Sequence, residues 1–224
     1  MTKKVITGEN EDIQYRIILL GDTTVGKTCL FRKISTGIFM ETNVSTVGIE
    51  KKTIDINCEL GEETRNVIIN LVDTAGQEKY RALTKTYYKG SDAAIILYDI
   101  TEKKSFEHVK EWMDSAKNEV NNNNYIIFIM GTKIDLVDSG KKERAVSIEE
   151  AKDKCIEYKC VWGGECSNKE FTKEKYIEIF KGFIKVIYEK LGHKRRISQS
   201  AVKLSQNETK KKKKKNCLCA PPQI

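Results

Sequence analysis

The stretch GDTTVGKT, residues 21–28, has the spacing of a phosphate-binding loop, G-x-x-x-x-G-K-[ST]. Its glycines let the backbone curl so that successive N–H groups face phosphate oxygens. Lys27 would then reach the β- and γ-phosphates, and the hydroxyl of Thr28 would bind Mg²⁺. A chance match is the alternative, but an apolar segment precedes the motif and an apolar-faced helical segment follows it. The motif therefore predicts a nucleoside triphosphate site and leaves the base open.

Short apolar runs alternate with helical patterns along the chain, which predicts an α/β fold with a mostly parallel sheet and helical crossovers. Such sheets bind ligands beyond the carboxyl ends of their strands. DTAGQE (73–78) and GTKIDL (131–136) each follow an apolar run, so both are expected at that edge.

Other patterns define the elements that must position these motifs. KTIDINCEL and RNVIINLVD flank the turn signal GEE and predict a hairpin. SIEEAKDKCIEYKC opens with a capping box, Ser147 with Glu150. KSFEHVKEWMDSAKNEV and a last helix at about 172–191 each show apolar residues at helical spacing. For the first of these the apolar face is Phe106, Val109, Trp112, Met113, Ala116 and Val120; for the last helix it is Tyr176, Ile179, Phe180, Phe183, Ile184 and Ile187.

With the phosphate loop and DTAGQE together, residues 13–191 resemble a small GTPase of the Ras superfamily. The stretch 79–112 is similar to the Rab branch throughout. The resemblance implies a single P-loop GTPase domain with a six-stranded sheet, a preceding extension (1–12) and a basic tail (192–224). It also implies a switch that cycles between GTP and GDP with Mg²⁺ in vesicle trafficking, and that hydrolyses GTP slowly without an activating protein.

The same resemblance implies which residues would handle the phosphates. Those wrapping the phosphates would be Thr23, Thr24, Val25, Gly26, Lys27, Thr28 and Cys29. Thr46 in NVSTVG would bind Mg²⁺ with Thr28, and Asp73 would hold it through water. The Gly76 N–H would contact the γ-phosphate, and Gln77 would position the attacking water. Thr46 and Gly76 would thereby order two loops, about 38–50 and 74–89, that hydrolysis releases.

A second set would bind the base: Phe39, Thr132, Lys133, Asp135, Ser167, Asn168 and Lys169. Phe39 would pack against guanine. Asp135 would accept hydrogen bonds from guanine N1 and N2, which adenine does not offer, so adenine would leave a carboxylate unpaired. Taken singly, Thr46 is also compatible with an ordinary loop threonine and Asp135 with a helix N-cap.

Three residues near the nucleotide depart from the family pattern. Thr24 stands where glycine or alanine is usual, Thr132 replaces the commoner asparagine, and Asn168 replaces alanine. The Cβ of Thr24 is expected to crowd the phosphate loop, and the Asn168 side chain is expected near the base. We predict weaker nucleotide retention and faster release than in a typical relative, with guanine binding preserved.

Three more departures concern the effector-facing surface. Asn43, Lys51 and Val72 stand where this surface of a Rab carries aromatic residues. Exposed aromatics are common interface anchors, so the chain is expected not to share effectors with standard Rabs.

The charge of +8 on 224 residues is concentrated at one end. Residues 192–224 hold ten Lys and Arg and one acid, which leaves the rest near −1. A nearly neutral body argues against a folded nucleic-acid reader, and we expect a monomer. We expect the tail to be disordered.

The tail ends in KKKKKKNCLCAPPQI, where Cys217 and Cys219 form the C-x-C pair of prenylated Rab relatives. Two prenyl groups, or one with the lysine run Lys210–Lys215, would anchor the chain to an anionic membrane. This reading implies a prenyl transferase and escort or dissociation-inhibitor proteins as partners. APPQI after Cys219 is longer than usual and is not a C-a-a-X box. Palmitoylation, a nuclear-import or RNA-binding run, and a solvated linker stay open.

The remaining cysteines and the length of the apolar runs bear on where the protein is located. Cys29, Cys58, Cys155, Cys160 and Cys166 are scattered without a C-x-x-C pair, which indicates reduced thiols. No apolar run approaches the ~20 residues of a membrane span. We expect the cytoplasmic face of an intracellular membrane, with a cytosolic pool. The alternative function is a GTPase-like scaffold that cycles weakly and releases nucleotide fast; TKIDL argues against an ATP-using enzyme.

Overall fold

In the part of the chain that the computed structural model describes, six strands form one sheet. They are β1 (Ile13–Leu20), β2 (Ile49–Leu60), β3 (Glu63–Thr74), β4 (Ala93–Asp99), β5 (Ile126–Thr132) and β6 (Val161–Cys166). Their order is β2-β3-β1-β4-β5-β6, and every pairing is parallel except that of β2 with β3. The expected six-stranded, mostly parallel sheet and its β2–β3 hairpin are confirmed.

The structure describes residues 13–40, 49–74, 88–120 and 125–192. All of these belong to one compact unit, Met1–Lys194. A second unit, Arg195–Ile224, lies outside the described residues. No helix in the described part of the chain is long and apolar enough to cross a membrane.

Helices cover both faces of the sheet. They are α1 (Lys27–Thr36), α2 (Lys103–Glu107), α3 (Val109–Val120), α4 (Ile134–Asp138), α5 (Ile148–Tyr158) and α6 (Lys173–Leu191). Along β1, Ile17 and Leu19 pack in a core with α1 and α6, whereas Ile18 and Leu20 pack in a second core with α2, α3 and α5. Burial on both faces explains why runs such as AAIIL are apolar without alternation.

The apolar faces predicted for the helices are buried, with local differences. Residues 103–120 form two helices that are interrupted at His108, not one continuous helix. Ser147 caps α5 by accepting from the Glu150 N–H at 3.1 Å, while the Glu150 carboxylate pairs with Lys103. The capping box is therefore half formed. In α6 the predicted core residues are buried, except that Ile179 is partly buried.

One expectation about the surface is wrong. Val72 was expected on an exposed effector-facing surface, but it is only 1% exposed and packs in the second core. The reason is packing, because Val72 lies in the same core cluster as Ile18 and Leu20 of the neighbouring strand β1. Lys51, opposite Val72 in the β2–β3 register, is exposed as expected.

The parallel strands place their carboxyl ends at one edge of the sheet. The loop 21–26 follows β1, Asp73 lies near the end of β3, Thr132 ends β5, and Ser167 follows β6. Motifs that are far apart in the sequence therefore meet at this edge.

Candidate functional site

The loop between β1 and α1 curls around two glycines. At Gly21, with φ of 131°, an added Cβ would lie 2.3 Å from the Leu97 carbonyl oxygen, so this position requires glycine. Gly26 has φ of 100° and is the N-cap of α1. Thr24 also has a left-handed backbone, with φ of 66°, which costs an L-residue with a Cβ about 1 kcal/mol or more. The position favours glycine because of its backbone conformation, and the expected crowding of the loop by the Thr24 Cβ stays a prediction.

The Lys27 side chain lies across the loop, and the residue is only 5% exposed. Its Nζ donates to the carbonyl oxygens of Gly21 at 2.9 Å and Asp22 at 2.6 Å. Burial lowers the pKa of Lys27 to about 8, although Asp73 and Asp22 act in the opposite direction. A buried cation at the start of a helix and beside curled backbone is suited to an anionic ligand such as a phosphate.

Asp73 and Thr28 form a second polar centre beside the loop. The Thr28 hydroxyl donates to Asp73 Oδ2 at 2.7 Å. Asp73 is fully buried, and its Oδ1 has no hydrogen-bond partner among the described residues. Burial raises the pKa of Asp73, and the hydrogen bond from Thr28 acts against this rise.

A buried carboxylate oxygen without a partner, next to a threonine hydroxyl, fits a hard divalent cation that takes oxygen ligands. In the part of the chain that the structure describes, no group of three or more His, Cys, Asp or Glu side chains could hold a metal by itself. Mg²⁺ with few protein ligands and several from water and phosphate is the arrangement that this pair suits.

Asp22 is held by two side chains that sequence reasoning missed. Its carboxylate accepts from Trp112 Nε1 at 2.7 Å and lies 2.6 Å from His108 Nδ1. His108 and Trp112 come from the break before α3 and from α3 itself, so this helix anchors the phosphate loop. No local sequence pattern predicts the contact between Trp112 and Asp22, because the spacing places Trp112 only on an apolar helical face.

At the other end of the site, Thr132 ties the phosphate loop to the sheet. Its buried hydroxyl lies 2.7 Å from the Val25 carbonyl oxygen and 2.9 Å from that of Tyr98. Lys133 occupies the N-cap of α4 with a left-handed φ of 67°, and its Nζ pairs with Asp99 Oδ2 at 2.8 Å. Burial by itself would raise the pKa of Asp99, but the hydrogen bonds from Lys133 and Thr101 outweigh it and lower the pKa.

Asp135 lies inside α4, so it is not the N-cap of that helix. Ser167, which follows β6, donates its hydroxyl to Asp135 Oδ1 at 2.7 Å. The structure thus brings GTKIDL and ECSNKE together through a bond that fixes the orientation of the Asp135 carboxylate. Lys169, two residues further on, is exposed.

Asn168 makes two contacts that the sequence did not predict, and its expected place near the base stays a prediction. Its Nδ2 donates to the Gly26 carbonyl oxygen at 3.1 Å, and its Oδ1 accepts from the Tyr176 hydroxyl at 2.6 Å. The side chain is 6% exposed and links the phosphate loop to α6. Alanine could form neither bond, so this residue adds a tether.

Phe39 lies in the segment after α1 and is partly exposed. This segment passes back towards the first turn of α1, since the Cys29 thiol lies 3.6 Å from the Met40 carbonyl oxygen. Thr23 is half-buried in the loop itself. Three predicted site residues, Thr46, Gly76 and Gln77, lie outside the described residues, as do Cys217 and Cys219.

Comparison with known proteins gives a consistent result. Residues 16–189 match the Ras family. The chain is 35% identical to GTP-binding protein YPT52 of Saccharomyces cerevisiae, over 62% of this chain and 68% of that protein. It is 36% identical to human Ras-related protein Rab-30, over 65% and 70%. It is 33% identical to Ras-related protein Rab-8B of Pongo abelii, over 92% and 97%.

Proposed function

The chain belongs to the Ras family and is similar to Rab proteins, and from this premise we propose that its GTP-bound form recruits effectors on the cytoplasmic face of an intracellular membrane. As a Rab-like small GTPase it binds GTP and GDP with Mg²⁺, hydrolyses GTP, and acts as a switch in vesicle trafficking. Activating proteins, exchange factors and effectors are the partners of such a switch.

The proposed phosphate and metal roles follow the geometry of the loop. Residues 23–29 wrap the phosphates, with Lys27 supplying a buried positive charge and Thr28 a hydroxyl. Thr28 and Asp73 hold Mg²⁺, which neutralises charge that develops on the phosphates during transfer. Thr46 completes the metal site in this proposal, and Gly76 contacts the γ-phosphate.

Gln77 is the proposed catalytic residue, because phosphoryl transfer to water depends mainly on positioning the water and stabilising charge. Hydrolysis by the chain alone is expected to be slow, and an activating protein is expected to speed it.

One contact supports the proposed base selection most directly. It is the 2.7 Å hydrogen bond from Ser167 to Asp135. It holds one carboxylate oxygen, and the carboxylate is then oriented to accept from guanine N1 and N2. Phe39, Thr132, Lys133, Asn168 and Lys169 complete the proposed base site. Thr132 and Asn168 act there through the Val25 and Gly26 carbonyls of the phosphate loop.

An exchange of one carboxylate tests this assignment. Asp135→Ala should weaken GDP binding on the order of a hundredfold or more, because buried base donors would lose their partner. Asp138→Ala is the matched control, because Asp138 is an exposed carboxylate on the same short helix. This variant should bind GDP normally. Calorimetric titration with GDP measures both. Equal affinity in the two variants would contradict the assignment.

For the tail we propose lipid anchoring. Residues 13–191 form the GTPase domain after an extension (1–12), and residues 192–224 carry the anchor at Cys217 and Cys219. Six consecutive lysines would add roughly 1 kcal/mol each near an anionic leaflet. A prenyl transferase and an escort or dissociation-inhibitor protein would then be partners, and a pool of the protein molecules would remain in the cytosol.

Mass spectrometry of the full chain, expressed in eukaryotic cells and separated into membrane and soluble fractions, tests the anchor. We expect prenyl groups on the tail cysteines of the membrane fraction. A Cys217→Ser, Cys219→Ser double variant should be soluble, while Cys58→Ser, a buried strand cysteine, should still fractionate with membranes. A membrane-bound double variant, or unmodified cysteines in the membrane fraction, would contradict the proposal.

A second candidate function is a scaffold that holds nucleotide loosely and recruits partners without useful cycling. The left-handed Thr24 in the phosphate loop is the observation that favours it. The Asn168 tether to the same loop opposes it. The rate of GDP release from the full chain separates the two, because a scaffold would exchange nucleotide within seconds, without an exchange factor.

A further inference from the structure

Helix α5 ends in a backbone motif that brings two cysteines together. Lys159 is left-handed, with φ of 53° and ψ of 47°. The Lys159 N–H bonds to the Ile156 carbonyl at 3.2 Å, and the Cys160 N–H bonds to the Cys155 carbonyl at 3.0 Å. This pair of bonds is the Schellman motif, in which the side chains at the positions of Cys155 and Cys160 commonly contact each other.

The thiols follow the backbone. The Cys160 thiol lies 3.7 Å from the Cys155 carbonyl oxygen, so the two residues are in contact. Both cysteines are free thiols. Cys155 is 4% exposed within the second core, whereas Cys160 is half-buried at its margin.

The surroundings make the two thiols unequal. The hydrogen bond from Cys155 lowers the pKa of Cys160, burial acts against this, and Lys117 adds to the lowering. Lys117 is held close, because its Nζ donates to the Tyr158 carbonyl oxygen at 3.3 Å. The same bond and burial raise the pKa of Cys155. The more accessible sulfur is therefore also the one that ionises first, and the thiolate is the reactive form.

We propose that Cys155 and Cys160 form a redox-modification site, at which a peroxide converts the pair into a reversible disulfide. The Cys160 thiolate attacks one peroxide oxygen, the O–O bond breaks, and hydroxide leaves, which gives a sulfenic acid on Cys160. The Cys155 sulfur then attacks the Cys160 sulfur, the S–S bond forms, and the sulfenic oxygen leaves with the thiol proton as water. The cysteines lose two electrons in total, and the peroxide is reduced to two waters.

This site is separate from the nucleotide site. Cys160 directly precedes β6, and Ser167 and Asn168 follow that strand at its carboxyl end. The two sites therefore lie at opposite edges of the sheet, and the proposal stands without the proposed nucleotide roles. The structural alternative is that two small side chains simply fill the helix-end contact.

Peptide mapping of the full chain decides between a redox-modification site and a simple packing contact. The reduced chain is treated with hydrogen peroxide, free thiols are alkylated, and the protein is cleaved after lysine and after glutamate. Cleavage at Lys159 separates the two cysteines, and cleavage at Glu165 separates Cys160 from Cys166. We expect a disulfide-linked pair containing Cys155 and Cys160 that a dithiol reductant removes. Its absence, with both cysteines alkylated only after unfolding, would overturn the proposal.

Two variants test which cysteine attacks the peroxide and which one then closes the disulfide. Cys155→Ser should leave a sulfenic acid on Cys160 that a dimedone probe traps, and Cys160→Ser should leave Cys155 unoxidised. Cys58 and Cys166, which are buried and whose pKa values burial raises, are internal controls. Cys160 should react on the order of tenfold faster than either of them. Equal rates, or trapping on Cys155 in place of Cys160, would refute the assignment.

Discussion

At the scale of single residues, Asn168 changes the expected behaviour of the site. Its amide joins the Gly26 carbonyl to the Tyr176 hydroxyl, so it restrains the phosphate loop from behind. The family pattern has alanine here, which led to the prediction of faster release. The observed contacts favour slower release through this residue, whereas faster release through Thr24 stays a prediction.

Asn168→Ala should therefore speed GDP release several-fold and lower the free energy of unfolding. The loss should be about 1–3 kcal/mol, since a buried hydrogen-bond network is broken. Release of a fluorescent GDP analogue and urea unfolding measure the two effects. Glu170→Ala, an exposed neighbour that has no role in the proposed base site, should change neither. Slower release from the alanine variant would show that Asn168 hinders nucleotide binding.

Asp73 offers a test of the metal assignment at the same scale. Asp73→Asn keeps the size of the side chain and removes the carboxylate that Mg²⁺ would require. GDP release from the original chain should accelerate when a chelator removes Mg²⁺, and release from the variant should already be fast and should not respond. Asp55→Asn, an exposed change on β2, should keep the chelator response. A variant that still responds to the chelator as the original chain does would contradict the assignment.

At the scale of elements, the phosphate loop carries strain that one substitution should relieve. Thr24 has φ of 66°, whereas Thr23 has no left-handed backbone. Thr24→Gly should raise the free energy of unfolding by up to about 1 kcal/mol, because the gain from relieved strain is partly lost to the greater freedom of glycine in the unfolded chain. Thr23→Gly should lower it. Urea unfolding of both variants measures this difference, and destabilisation by both would mean that Thr24 is not strained.

Elements were predictable wherever a local pattern determined them. The phosphate loop, the β2–β3 hairpin and the start of α5 at Ser147 each depend on neighbours in sequence, and the structure has all three. The break at His108 and the burial of Val72 were missed. Both depend on what packs against the segment, namely Asp22 in the first case and the second core in the other.

The same distinction, between features set by the local sequence and features set by packing, applies to the site. Motif spacing predicted that Lys27, Thr28, Asp73, Asp135 and Ser167 lie at one edge of the sheet, because parallel strands end there. It could not predict the bonds that link the loop to α3 and α6, because these join residues 90 and 142 positions apart. Such contacts are properties of the packed fold.

At the scale of the whole molecule, charge is distributed unevenly along the chain. The body is close to neutral, and the excess of positive charge lies in residues 192–224. A neutral body suits a switch that is read through its loops, and a basic end suits an anionic membrane surface. Nucleotide chemistry and anchoring should therefore be separable, so that Cys217→Ser with Cys219→Ser abolishes membrane binding without changing GDP affinity.

The central claim is that this chain is a guanine-nucleotide switch, and the nucleotide that purifies with it tests that claim most directly. The full chain, purified with Mg²⁺, should carry GDP or GTP at about one per molecule, identified by chromatography after denaturation. Loaded with GTP, it should release phosphate slowly, and Gln77→Leu should release it more slowly still. A chain that carries adenine nucleotide or none, or that holds GTP without any hydrolysis, would contradict the account.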